Sequence, residues 1–315
     1  MKNTFTHVGL ANLCGWFGIT RQAYYNHTWK AYEVNNKHHI IIDRVREIRV
    51  NHPRLGTRKL FDMLQPFFKE HQIKIGRDSL FNLLYINHLL VRKRKRRIST
   101  TNSYHRFRKY PNLIREFIPT AINQLWVSDI TYWKIGEKHV YISFITDIYS
   151  HKIVGYYAAE TLETIESIQA LNMALSGLIT ILKRLIHHSD RGIQYCSNSY
   201  VKLLQDYEIK ISMTENGDPL ENAVAERING IIKEEYLHNY QVNNIKEAKK
   251  LLKAVVVLYN NERPHMSISN LTPNQVHQST EKLKLNKLWK NYYKKNSNIV
   301  KQEQDVNQTV NLLQD

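Results

Sequence analysis

In the run QLWVSDITYWKI, Asp129 stands among residues that otherwise belong in a buried strand. Alternating Trp, Val, Ile and Tyr fit a pleated, half-buried surface, so Gln124 to Lys134 reads as a strand. A carboxylate taken out of water in such a place is expensive unless it is paired or binds a metal. The fold must therefore bring a partner to Asp129.

Two further acids sit where a chain can deliver them. Asp190 closes the short apolar run RLIHHS and should project from the C-terminal end of a strand. Glu226 lies in DPLENAVAERINGIIKEEY, inside a helix whose start is marked. There Asp218 can cap, Pro219 fits the first helical position and Glu221 completes a D-x-x-E capping box. Val224, Ile228, Ile231 and Ile232 form its core stripe, while Glu226 shares another face with Asn222, Ala223, Asn229 and Gly230. Lys233, seven residues on, returns to within ~20° of the Glu226 direction. An acid and a lysine so placed suit an anionic substrate.

Hard divalent cations take oxygen ligands, and Mg²⁺ is held by a few carboxylates while substrate phosphates and water complete its shell. Two such ions about 3.5–4 Å apart serve in-line phosphoryl displacement. Asp129, Asp190 and Glu226 are therefore the expected catalytic and metal-binding triad, with two Mg²⁺ ions and Mn²⁺ as a substitute. Asp147, at a strand end beside a turn, reads as a turn former and stays outside the site. His187, His188 and Cys196 lack the spacing of a zinc site. Strand alternation places one of the two histidines inward and the other near the surface.

The formal charge is +17, and its distribution is uneven. Residues 1–118 hold 23 Lys/Arg against 7 Asp/Glu, and the remainder 22 against 21. An excess confined to the N-terminal third suits a polyanion. Two cysteines exclude a disulfide framework, and neither a membrane-length apolar run nor a signal-peptide pattern appears. A soluble cytoplasmic protein is expected.

Residues 9–28 read as helix, turn at Gly18, and a helix capped by Thr20, with Arg21, Gln22 and Tyr24 or Tyr25 able to face DNA. Three helices follow, at His38–Asn51, Thr57–Phe68 and Arg77–Leu89. Arg54, Arg58, Lys59 and Arg77 are the phosphate contacts if these helices bind DNA, as the resemblance given below implies, and are only solvated if they form a plain three-helix bundle. VRKRKRR, with Arg94 and Arg96, opens a basic linker able to track a nucleic-acid backbone. From Asn123 the periodicity changes to three strands, helix, strand, helix, strand and helix, the order of an RNase H-like α/β core with a mixed sheet. The expected organisation is a helix-turn-helix-like segment at 1–30, a helical DNA-binding domain at 36–90, the linker at 91–118, the core at 119–280 and a polar tail at 281–315. In that tail Leu283–Tyr293 reads as a helix.

WVSDITY, HSDRGIQY, ENAVAER with Lys233, and YNNERPH followed by LTP resemble the DDE transposases of the insertion-sequence-three family. The likeness runs from roughly Leu13 to His277 and includes 35 residues between Asp190 and Glu226. It implies an RNase H-like core in which the three acids bind Mg²⁺, nicking an element end and joining the freed 3′-hydroxyl to another phosphodiester. It also implies a multimeric complex on double-stranded DNA, and an upstream-frame partner often fused by frameshifting. The setting is the bacterial cytoplasm, with nucleoid association on DNA. Lys233 and Arg227 would lie near phosphates. His188, Gly192, Tyr195, Asn222 and Arg263 would support the site, His188 by positioning Asp190, Gly192 by permitting a sharp turn, and Arg263 by pairing with an acid or a phosphate. Glu221-Asn222 stands where many relatives have Asp-Asn, and His151 where many have Arg; neither removes a metal ligand. The rival readings are a transposase-derived DNA-binding regulator without catalysis and, less in keeping with the basic N-terminal third, an RNase acting on RNA–DNA hybrids.

Overall fold

The computed structural model describes residues 7–92, 106–178, 184–215, 221–279, 283 and 285. The chain forms two units, Met1–Asn51 with Leu55–Val91, and His52–Arg54 with Arg92–Asp315.

The first unit is helical. α1 (Leu10–Trp16) ends before Gly18, whose φ of +65° makes the turn, and Thr20 Oγ1 accepts the Ala23 amide at 3.0 Å. The next helix does not stop near Thr28. α2 (Arg21–Asn51) continues for 31 residues and absorbs the helix expected from His38. No Gly or Pro interrupts it, and the Glu33–Lys37 pair at 2.6 Å adds support at a favourable spacing. Where one helix was expected over Thr57–Phe68 there are two, α3 (Thr57–Met63) and α4 (Gln65–Glu70). Pro66 lacks an N–H and excludes the carbonyl four residues back, so the helix restarts around it. α5 (Arg77–Ile86) completes the unit, and Ile41, Val45, Leu60, Leu64, Leu80 and Leu84 form its centre.

In the second unit β1 (Leu125–Ile135), β2 (Lys138–Asp147) and β3 (Ile153–Ala159) run antiparallel. Then come α6 (Thr164–Ser176), β4 (Ile186–Ser189), α7 (Ile193–Cys196), α8 (Asn198–Asp206), β5 (Lys210–Met213), α9 (Ala223–Ile231), α10 (Ile245–Asn261) and α11 (Pro273–His277). The short α7 was not expected. The sheet order is β3-β2-β1-β4-β5, with β1, β4 and β5 parallel, which is the expected RNase H-like arrangement. The helix read at Leu283–Tyr293 falls almost wholly outside the described residues.

β1 is central, and its alternation sorts the two faces. Trp126 packs with Ala170, Leu171 and Tyr200, whereas Trp133 packs with Ile228, Ile232 and Leu252. Asp129 and Thr131, four and two residues before Trp133, therefore point toward α9. Central strands covered on both sides bury both faces. Hence His187 and His188 are both buried, at 1% and 0% exposure, rather than one lying at the surface.

Two packing details hold this unit. At Gly155 on β3 an added Cβ would lie 2.2 Å from the Ala170 carbonyl oxygen, so only glycine lets α6 approach so closely. After Ile231 the helix widens into a π turn (Ile232–Tyr236), anchored by Arg263. The buried guanidinium donates from Nε to Glu235 Oε2 at 2.8 Å and from Nη2 to Oε1 at 2.7 Å. Arg263 thus pairs with an acid, Glu235. Its Nη1 also bonds His265, which stacks on His151.

Gly155→Ala should lower the free energy of unfolding by about 1–3 kcal/mol or more, read from the urea midpoint. Glu235→Leu, which strips the guanidinium of its carboxylate, should cost about 3–5 kcal/mol, and adding Arg263→Met should recover most of that. Equal losses in the single and double variants would contradict the pairing.

Candidate active site

The last parallel pairing between β1 and β4 joins Ser128 to Ser189, so the next residues, Asp129 and Asp190, emerge side by side. α9 docks on the same place through residues at helical spacing. Asn222 Nδ2 donates to the Ser128 carbonyl at 3.1 Å, and Asn229 Nδ2 to Asp129 Oδ2 at 2.8 Å. Lys233 Nζ donates to Thr131 Oγ1 at 3.0 Å. Glu226 follows Asn222 by four residues and is exposed. The three acids share one electrostatic neighbourhood. Burial first, then the charges of Asp190 and Glu226, push the Asp129 carboxyl up to about 8, against hydrogen bonds from the Ile130 amide and Asn229.

Asp190 is held by its own loop. Gly192 N donates to Asp190 Oδ1 at 3.0 Å. The glycine has an ordinary φ of −63°, so turn strain does not explain it. An added Cβ would lie 3.0 Å from that same carboxylate oxygen, so Gly192 serves close approach. His188 Nδ1 bonds Ser212 Oγ on β5 at 2.8 Å, so its side chain is engaged with β5 rather than acting as the expected support for Asp190. His187 Nε2 meets Ser128 Oγ at 2.6 Å and Tyr200 OH at 3.0 Å, while Cys196 Sγ contacts Met213 Sδ at 3.6 Å.

The α9 start differs from expectation. Asp218 and Pro219 lie outside the described residues, and the N-cap is Asn222 without a side-chain capping bond. Glu221 precedes the helix. Its carboxylate accepts from the Glu215 amide at 2.6 Å and Asn112 Nδ2 at 3.2 Å. Leu113 N in turn donates to Ser212 Oγ at 2.9 Å. The end of the basic segment is therefore tied to the core beside the acids.

Lys233 lies within the π turn, with Nζ 4.7 Å from the Tyr132 ring centroid. Burial lowers its pKa, opposed by Glu234 and Asp129. Arg227 is exposed on α9. In the first unit Arg58 and Arg77 are exposed and Lys59 is half-buried, while Arg94 and Arg96 lie outside the described residues.

The three acids do not close into one cage. Among the described residues no three His, Cys, Asp or Glu side chains are gathered closely enough to hold an ion together. The donor chemistry nevertheless fits a hard divalent cation. The ligands on offer are carboxylate oxygens, and Asp190 and Glu226 both raise the proton affinity of Asp129. Tyr195 OH, Asn222 Oδ1 and Asn229 Oδ1 are also buried without a hydrogen-bond partner. Sequence reasoning had placed Asn229 only on a small, uncharged face, and Glu235 on none. The stripe Asn222, Asn229, Lys233 was the available signal.

Two integrase core domain models match the chain, over residues 119–219 and 207–273. The 31 kDa protein of insertion element IS600 from Shigella sonnei is 35% identical over 267 residues, covering 83% of this chain and 96% of that protein. The transposase for insertion sequence element IS629, also from Shigella sonnei, is 31% identical over 218 residues, 68% of this chain and 70% of that protein. The HTLV-2 integrase catalytic core domain, solved in complex with magnesium, superposes with a TM-score of 0.40 at 22% identity, over 50% of this chain and 97% of that one. No helix among the described residues is long and apolar enough to cross a membrane. The chain belongs to the insertion-sequence-three family of transposases, polynucleotidyl transferases with an RNase H-like integrase core.

Proposed function

We propose that this chain cleaves the ends of its insertion element and joins them to new DNA by a DDE two-metal mechanism. The observation that carries this reading is the β1–β4 register that sets Asp129 beside Asp190, with Asp190 and Glu226 both adding, after burial, to the rise of the Asp129 carboxyl. Asp129, Asp190 and Glu226 would hold two Mg²⁺ ions, which supply activation of the attacking oxygen and stabilisation of the leaving one. In the first step a water oxygen attacks phosphorus, and the 3′-oxygen of the element end leaves and takes up a proton through solvent. In the second, that 3′-hydroxyl attacks a target phosphorus and loses its proton to solvent, while the target strand's own 3′-oxygen leaves and is protonated. No covalent protein–DNA intermediate is needed.

The chain's own groups hold the DNA for these steps. Lys233 Nζ, beside Asp129 on the same face of β1, and Arg227, exposed one position after Glu226, are disposed to meet the reacting strand's phosphates. Arg58, Lys59 and Arg77, with the basic run holding Arg94 and Arg96, serve as backbone contacts that position the duplex without reading its sequence. The active assembly is a multimer on both element ends, together with the upstream-frame protein or its fusion, in the bacterial cytoplasm.

A strand-transfer assay on labelled element ends, with the upstream-frame protein supplied and Mg²⁺ added, tests this directly. Asp129→Asn, Asp190→Asn and Glu226→Gln should each reduce joining by about 10³-fold or more while leaving DNA binding intact. Joining that survives Asp190→Asn would reject the mechanism, and wild-type binding without joining would favour the regulator.

A second prediction concerns pH. A carboxyl raised from 3.8 to about 8 keeps its proton in the folded chain where the unfolded chain has lost it. The native state then binds more protons, so stability falls as pH rises across that interval. Without divalent cation, melting temperature should drop from pH 5 to pH 8, and Asp129→Asn should flatten the drop. An unchanged slope in the variant would contradict this origin.

A further inference from the structure

Asn229 is 4% exposed and lies on the buried side of α9. Its Nδ2 donates to Asp129 Oδ2 at 2.8 Å, while its Oδ1 is buried with no hydrogen-bond partner. A buried amide satisfied at one end only is costly, so packing alone would favour an apolar residue here. Asn222, one stripe position earlier, grips only backbone, at the Ser128 carbonyl. Asn229, by contrast, touches a carboxylate of the triad directly.

We propose that Asn229 is a positioning residue for the proposed cation site. By engaging Oδ2, alongside the hydrogen bond from the Ile130 amide, it fixes the rotation in which the Asp129 carboxylate meets the cation. Its own unsatisfied Oδ1 then accepts a hydrogen bond from a water of the cation's shell. Partners of this kind orient first-shell carboxylates, and their loss costs about 10–100-fold in metal affinity. The inference rests on reading the acids as cation ligands.

Melting curves of the full-length chain without DNA, across Mg²⁺ and Mn²⁺ titrations, test it. Each variant yields two readings: the cation-free melting temperature and the cation concentration giving half of the stabilisation. Asn229→Ala should raise that concentration about 10–100-fold. Asn229→Leu, nearly isosteric and able to fill the space if alanine leaves the chain unfolded, should do the same. A merely structural role would lower the cation-free melting temperature and leave the half-effect concentration unchanged; that result overturns the proposal. If neither cation stabilises the wild type, or if stabilisation survives Asp129→Asn, the failure lies with the acids as ligands.

Discussion

A carboxylate on the central strand of a covered sheet is the constraint on which the second unit depends. Asp129 is half-buried between the sheet and α9, and two more acids raise its proton affinity further. Such a cluster destabilises a fold that does nothing else with it. What the fold does is aim three independent elements at one point. Parallel register brings Asp190 beside Asp129, and side chains of α9 grip β1 at Ser128, Asp129 and Thr131. Hydrogen bonds from the Ile130 amide and Asn229 offset only part of the cost. The remainder is what a divalent cation and a phosphodiester are suited to relieve.

The surrounding structure behaves as a brace for that point. Glu221 ties the approach to α9 to Asn112 and Glu215, and Arg263 clamps Glu235 in the π turn that carries Lys233. π turns inside helices are uncommon and recur at functional sites. Here the turn has a clear consequence, because the α-helical projection from Glu226 to Lys233 applies only as far as Ile231. The YNNERPH segment, which places Arg263 and His265 against this turn, thus supports the site from behind without belonging to it.

Much of this was legible in the residues. Asp129 betrayed itself as a charge in an apolar alternation, and Asp190 and Glu226 as acids at a strand end and within a helix. The strand order was equally readable, since each strand carries its own period. Less visible was anything decided by tertiary contact. The sequence around Glu221 satisfies every rule for a capping box, yet its carboxylate is taken by the Glu215 and Asn112 amides brought in by the preceding segment. His188 alternates like a residue with one solvated face, but its strand is covered on both sides. Asn229 looked like filler because its partner lies 100 residues away. Pro66 is the exception, a local signal of the break in its helix that the periodic pattern obscured.

Membership in a transposase family and the register that sets Asp129 beside Asp190 are separate supports for the proposed chemistry, one through relatives and one through geometry. The central claim is that Asp129, Asp190 and Glu226 jointly ligate divalent cations. Crystals of the full chain soaked in Mn²⁺, measured for anomalous scattering, address it most directly. The account predicts anomalous density within coordination distance of the Asp129 and Asp190 carboxylates, with Glu226 drawn in toward it. Anomalous density bound elsewhere on the chain, with these carboxylates unmoved and unliganded at saturating Mn²⁺, would contradict it.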